Sequence, residues 1–320
     1  MRSRVAARTG RVKAVRISLG DVRPLRFDDG TPVTAASAIA PLGGGWLVAQ
    51  DDATSAAWLR DGSVTPVRVL PPVEGLDRFS EAAGTKRLKP DLEVACPAEV
   101  DGEPAVLLLG SGSTDRRTRG VLVRLVDGHP VVQAGELAPL YGLVAERLGV
   151  PDGQLNLEGA SRHGGTVRWF NRGNLAAGVR PGSVDVPLAG LVDAVLGRGA
   201  AGAVPVEQPR VYDLGEVAGV GLAVTDAIAL PDGRLLLSAA AEDTPNAVDD
   251  GPVVAAALVL VDGDTVLDVA AVPEVDAHVP KVEGLALRGT RDGEVHLLAV
   301  VDDDDPTRPS TALELRVEFG

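Results

Sequence analysis

Short apolar runs of four to seven residues, many rich in Val and Leu, alternate along the chain with clusters of Gly, Pro and Asp. That punctuation is the mark of a protein made of many short strands. Aligned on one another, the runs give one recurring unit, found at Ser37-Ala-Ile-Ala, Glu93-Val-Ala-Cys, Glu158-Gly-Ala-Ser, Asp226-Ala-Ile-Ala and Glu283-Gly-Leu-Ala. The intervals between their first residues are 56, 65, 68 and 57 positions. Each unit runs into a tight turn, as at Asp101-Gly, Asp232-Gly and Asp292-Gly, and then into a second apolar strand near Trp46, Val106, Val167, Leu235 and Val295. Asp-Gly supplies the positive φ that such hairpin turns need. A third strand (Ala56-Ala-Trp-Leu, Gly120-Val-Leu-Val) and a fourth (Val67-Arg-Val-Leu, Val131-Val-Gln-Ala, Val211-Tyr-Asp-Leu, Val266-Leu-Asp-Val) follow in most copies.

Four antiparallel strands every 55 to 70 residues or so is the spacing of propeller blades. The expected fold is therefore all-β, a five-bladed β-propeller forming a single domain over residues 1–320. Val15-Arg-Ile-Ser-Leu-Gly-Asp-Val resembles the fourth strand at Val211-Tyr-Asp-Leu-Gly-Glu-Val but precedes the first unit, and the last unit stops after its third strand, Leu313-Glu-Leu-Arg-Val. The N-terminal strand is thus expected to complete the last blade, removing an open edge. Blade three is irregular: Asn174 to Gln208 reads as loop plus a helix-like run, Leu188 to Leu196, and a six-bladed alternative would place its extra blade there.

Composition narrows the function classes. The AVILMFWYC set makes up 45% of the 320 residues but aromatics only 3%, so the core must be built from Val, Leu and Ala. Few aromatic surfaces remain for stacking on bases. With 31 Lys and Arg against 45 Asp and Glu, the net charge of −14 also argues against a nucleic-acid partner, which needs a basic face. The single cysteine, Cys96, excludes an internal disulfide and a Cys-cluster zinc site, so any metal would be bound through oxygen. Met1 to Leu19 has basic residues without a signal-like apolar stretch, and no run approaches the roughly 20 apolar residues of a membrane span. A cytoplasmic protein without a membrane partner is expected.

The start of a hairpin's first strand and the end of its second share one rim of the disc. The long connections Glu74 to Pro90, Gly112 to Arg119, Pro139 to Asn156, Glu242 to Pro252 and Asp302 to Pro309 fall on that rim, the usual place for binding and catalysis. Blade three alone has its long loop on the opposite rim. The inner strands should bring Glu93, Glu158, Asp226 and Glu283 together at the channel, with Ser37 in the fifth place. Ca²⁺ is the candidate cofactor for such a set of oxygens. The alternative is structural, the acids capping neighbouring backbone or pairing with Lys89, Lys281 or Arg162. Second-strand ends add Asp51, Asp52, Ser111, Ser113, Asn171, Asn174, Asp302 and Asp303.

In Gly110-Ser-Gly-Ser-Thr-Asp-Arg-Arg-Thr-Arg119, small residues admit a ligand while Arg116, Arg117 and Arg119 could bind phosphate or carboxylate. Arg172 and Lys281 are further anion contacts. A P-loop is absent, as is the Gly-x-Ser-x-Gly elbow of a serine hydrolase. His163 and His278 are the histidines nearest a rim, and Cys96 reads as a small core residue.

Leu157-Glu-Gly-Ala and Val282-Glu-Gly-Leu-Ala resemble the inner-strand openings of phytase-like propellers. With Gly110-Ser-Gly-Ser, Leu155-Asn-Leu-Glu-Gly and Phe170-Asn-Arg-Gly-Asn, nearly the whole chain resembles an uncharacterised family of bacterial propellers. The phytase-like resemblance implies a calcium-dependent phosphoester hydrolase with metal and phosphate on one rim. Two functions stay open: a propeller that binds a small anionic ligand or a protein over a polar, acidic centre, and a Ca²⁺-dependent hydrolase of anionic esters.

Overall fold

The computed structural model describes residues 14–242, 253–302, 305 and 307–320. The basic stretch 1–13, the loop expected over 243–252 and Asp303 lie outside them. Strand β1 (Val15–Pro24) comes first. Blade one is β2 (Ala36–Leu42), β3 (Gly45–Gln50), β4 (Ser55–Arg60) and β5 (Ser63–Arg68). Blade two is β6 (Leu92–Val100), β7 (Glu103–Gly110), β8 (Arg119–Val126) and β9 (His129–Glu136). Helix α1 (Ala138–Leu148) leads into blade three, composed of β10 (Leu157–His163), β11 (Thr166–Asn171), β12 (Gly182–Pro187), helix α2 (Leu188–Val195) and β13 (Glu207–Val211). Blade four holds the two-residue β14 (Glu216–Val217), β15 (Val220–Ala229), β16 (Leu235–Glu242), β17 (Val253–Asp262) and β18 (Thr265–Ala271). Blade five is β19 (Val282–Arg291), β20 (Glu294–Val301) and β21 (Thr311–Phe319), completed by β1, which pairs antiparallel with β21 from Val15 opposite Phe319.

These are five sheets, each ordered as an antiparallel meander, with inner strands β2, β6, β10, β15 and β19 touching in a closed ring. The fold is a five-bladed β-propeller closed by its N-terminal strand, as the repeat predicts. The six-bladed alternative is excluded: residues 174–208 hold β12, α2 and the start of β13, which finish blade three rather than open another. That blade's last strand ends at Val211, where the repeat would begin it. Tyr212 and Leu214 therefore follow the strand and pack into the core with Phe170.

Burial follows position in the blade. Every residue of β16 is buried, because the second strand of a blade is covered on both faces by neighbouring blades. The outer strand β9 instead alternates between exposed and half-buried, as one wet face requires. Helix α1 occupies the expected Pro139–Asn156 connection, with Pro139 in its first turn and Gly149 (φ 65°) as a left-handed cap whose N–H reaches the Ala145 and Glu146 carbonyls. Its Tyr141 meets Trp169 edge to face at 4.9 Å.

Candidate functional site

Each inner strand breaks its ladder near the loop rim with a β-bulge, at Ser37, Glu93, Glu158–Gly159, Thr225 and Glu283. A bulge leaves a residue unpaired and re-aims its side chain. The bulge residues are three carboxylates and two hydroxyls, and the hydroxyls tie blades together. Ser37 Oγ donates to the Leu92 carbonyl at 2.5 Å and Thr225 Oγ1 to the Val282 carbonyl at 2.6 Å, in each case the residue just before the next blade's bulge. Asp226 stands one residue past its bulge. Its carboxylate accepts from the N–H of Ala227 (2.7 Å) and of Leu285 in blade five (2.6 Å). Burial pushes its pKa up to about 8, against these donors and the Ala160 N–H.

The Glu-Gly dipeptides have a packing reason. A Cβ on Gly159 (φ 75°) would lie 2.5 Å from the Asp226 Cα, and one on Gly284 would lie 2.9 Å from the Ala38 Cα. Neighbouring inner strands close on the channel at these two points.

Two ion-pair networks surround the bulge carboxylates, one beside Glu93 and one that includes Glu158 and Glu283. In the first, Lys89 Nζ bridges Asp51 of blade one and Asp91, 2.7 Å from Asp91 Oδ1, and Arg117 Nη1 reaches Asp91 Oδ2 at 2.8 Å. Burial acts against charge on Lys89, yet Asp51, Asp91 and Glu93 hold its pKa well above the ordinary lysine value. Asp91 is likewise held low by Lys89 and Arg117 in spite of burial. Glu93 stands beside this network, its pKa driven well up by burial and by Asp51 and Asp91. Oxygens of Asp51, Asp91 and Glu93 lie within 4.8 Å of one another. In the second network Arg172 joins Glu158 (3.1 Å) to Glu242, and Lys281 joins Glu242 (2.8 Å) to Glu283 (2.9 Å). Asn156 Nδ2 donates to Glu158 at 2.8 Å. Arg172 and Lys281 keep the Glu242 pKa below its ordinary value against burial, whereas burial wins at Glu158 and raises it.

The Gly110-Ser-Gly-Ser loop is built around Asp91. Ser111 Oγ donates to its carboxylate, Ser113 Oγ donates at 3.2 Å, and Arg117 turns inward to join them. A Cβ on Gly110 would strike the Arg117 carbonyl at 2.3 Å, and one on Gly112 the Tyr141 ring at 2.4 Å. Arg116 is exposed and Arg119 pairs with Glu136 at 2.8 Å. Of the expected anion contacts, Arg117, Arg172 and Lys281 are thus committed to carboxylates. Arg162 reaches Glu99, not a channel acid. Asn171, 1% exposed, accepts the Asn156 N–H, and Asn174 caps a turn by accepting from the Ala177 N–H. His163 is half-buried, with a pKa lowered by burial; His278 is exposed on its loop. Cys96 is fully buried and its thiol is pushed up to about 12, which leaves it inert.

Beside the first network the loop rim opens into a cleft of about 430 Å³. The loop after blade one supplies Phe79, Ser80, Glu81, Lys86 and Lys89, the segment before β2 supplies Thr34, and residues just past strand ends supply Asp51, Asp52 and Asp302, with Asp305 from the last loop. Asp302 Oδ1 is held by the Ala35 N–H (3.0 Å) and the Ser310 hydroxyl (2.5 Å). Asp52 differs. Its Oδ1 is buried without a hydrogen-bond partner, and burial, reinforced by Asp51, lifts its pKa to about 7. Asp91 and Glu242 were absent from the candidate ligands read from sequence, where Lys89 and Lys281 stood as partners of the channel acids, although Glu242 closes a second strand as Asn171 does.

Fold and site together define a five-bladed propeller with a charged, compensated centre and an acidic rim cleft. The chain belongs to a family of unknown function (DUF6910), whose model matches residues 85–306. No curated protein matches the sequence. Among solved structures, glutaminyl cyclase of Myxococcus xanthus is similar at 10% identity, with a TM-score of 0.50 over 96% of this chain and 100% of that one. A hypothetical protein from Leishmania major (12% identity, TM-score 0.46, 94% and 91% coverage) and a mannose phosphorylase from Leishmania mexicana (14%, 0.45, 94% and 88%) also match. Likeness at this identity concerns the fold alone. Among the described residues no helix is long and apolar enough to cross a membrane.

Proposed function

We propose that the chain is a single-domain ligand-binding propeller whose rim cleft takes a small organic cation, such as an alkylammonium or amino sugar. The observation that carries this is the cleft's acidity: five acidic side chains line it against two lysines, and one of the acids, Asp52, is about half protonated at neutral pH with its pKa at about 7. The Asp52 carboxyl, lifted to about 7 by burial and by Asp51, would be favoured in its charged form by an ammonium bound beside it in the cleft. The Phe79 ring wall suits a short apolar body. The anion expected from the basic residues has less support, because Arg117, Arg172 and Lys281 are occupied. A cytoplasmic setting accords with the lone, buried cysteine.

A second reading puts a divalent cation such as Ca²⁺ at Asp51, Asp91 and Glu93, supported by their mutual distances. Such a cation would polarise an anionic ester bound in the cleft. It would have to displace Lys89 from two of its three ligands.

Thermal unfolding with a panel of alkylammonium salts and amino sugars, and separately with CaCl₂ or EDTA, separates the readings, since a ligand of the folded state raises the melting temperature by mass action. Stabilisation by an ammonium compound, lost in Asp52→Asn, supports the first. A rise with Ca²⁺ reversed by EDTA, with no response to ammonium compounds, replaces it by the second.

A further inference from the structure

A separate cleft of about 270 Å³ runs between blades one and five, along the seam that β1 closes. Three arginines from three strands line it: Arg23 of β1, Arg60 of β4 and Arg288 of β19. Trp46, Leu59 and Leu298 form an apolar wall. Trp46 and Leu59 stand opposite each other in blade one, and Leu298 belongs to blade five, so both blades are needed to make the pocket.

Charge compensation here is thin. Arg288 pairs with Glu314, and Arg23 reaches the same Glu314 at 3.7 Å, so one carboxylate serves two guanidinium groups. Arg60 lies 3.6 Å from Asp61, whose side chain is 89% exposed, a solvated contact of small worth. An adjoining cleft of about 400 Å³ shares Arg288 and adds Arg291 and Arg316. On a protein of net charge −14, this is a local excess of positive charge against the overall sign. Guanidinium forks match carboxylate and phosphate oxygens. The apolar wall would contribute only for a ligand that carries hydrocarbon beside its charge. The volume sits just under the roughly 300 Å³ at which pockets for drug-sized ligands begin, which suits a small one.

We propose that the seam cleft between blades one and five binds a small organic anion, a phosphate or carboxylate carried on an aromatic or aliphatic body. The site is distinct from the acidic rim cleft and selects the opposite charge.

Tryptophan fluorescence tests this, because of the three tryptophans Trp169 is fully buried and Trp58 is 7% exposed, leaving Trp46 as the reporter in the cleft. Phenyl phosphate and benzoate are titrated at low ionic strength, with inorganic phosphate and benzyl alcohol as comparisons. Saturable binding of phenyl phosphate or benzoate is expected, tighter than inorganic phosphate and absent for benzyl alcohol. Arg288→Gln and Arg60→Gln, at side chains 44% and 43% exposed, should each weaken it about tenfold or more, with melting temperatures measured alongside because Arg288 pairs with Glu314 and Arg60 stacks 4.4 Å over the Trp58 ring. Arg116→Gln and Asp52→Asn should leave it unchanged. Failure of both organic anions to saturate, equal affinity for inorganic phosphate, or wild-type affinity in both arginine variants overturns the proposal. The insensitivity of Asp52→Asn keeps this outcome separate from the fate of the rim cleft.

Discussion

Replacing Lys89 by Met asks whether the channel acids are held by an internal cation. The ammonium bridges Asp51 and Asp91 with its side chain 13% exposed, and Glu93 lies in the same group of oxygens. Removing it leaves three crowded carboxylates, with Arg117 paired to only one of them. Breaking a buried ion pair by deleting one partner costs about 3–5 kcal/mol. For a chain of this size that lowers the melting temperature by roughly 6–10 °C, at about 2 °C per kcal/mol. In the variant the freed oxygens become a cation site, and Ca²⁺ at a hundredfold its dissociation constant should restore about 2.7 kcal/mol. The assay is calorimetric or fluorescence melting of wild type, Lys89→Met and Lys89→Arg, each with EDTA and with Ca²⁺. Lys89→Arg should stay close to wild type, and only Lys89→Met should gain strongly from Ca²⁺. Melting of Lys89→Met within about 1 kcal/mol of wild type in EDTA would refute the reasoning, since the acids would then need no internal cation.

Three further outcomes are expected. The Asp226 carboxyl, raised from 3.8 to about 8, keeps a proton that the unfolded chain has released, so its contribution to stability falls as pH rises from about 4 to 8; urea titrations across that window should show the slope, and Asp226→Asn should flatten it. Gly159→Ala should cost well over 2 kcal/mol, since its Cβ would sit 2.5 Å from the Asp226 Cα at positive φ, whereas Gly153→Ala, at φ 72° with open space around it, should cost about 1 kcal/mol; similar losses for the two in urea unfolding would contradict the close approach. Ser37→Ala should lose about 1 kcal/mol by removing one strut between blades, and Thr225→Val more, about 1–3 kcal/mol, since it also takes a partner from the buried Ser238 hydroxyl at 2.9 Å; the losses should add, because the struts join different pairs, and a double variant far from the sum would show that they are coupled.

Much of the fold was legible in the chain because its rules are local. Asp-Gly turns, short Val- and Leu-rich runs and a repeat of 56 to 68 residues mark blades without reference to contacts. The closing strand could be read from a fourth-strand pattern standing in first place, and β1 does pair with β21. The site was legible only as a rim. The repeat alignment put Asp226 beside Glu93 and Glu283 because it matched acid to acid, whereas the bulge in blade four falls on Thr225. A bulge slips the register by one residue, and at Thr225 no glycine marks that slip as Gly159 does in blade three. Arg117 illustrates the same limit: its sequence neighbours suggest a solvated basic loop, and only the packing of Gly110 and Gly112 turns it toward Asp91.

The sequence by itself determined the all-β blade repeat and its closure by the first strand, since these follow from turn chemistry and strand periodicity, while the choice of five blades over six was settled by the sheets themselves. Which carboxylate meets which cation was decided by tertiary structure alone. Asp51 and Lys89 are 38 residues apart, and Arg172 and Glu242 are 70 apart. Ion pairing depends on a few ångströms of separation and on burial, and both are set where blades meet rather than along any one of them.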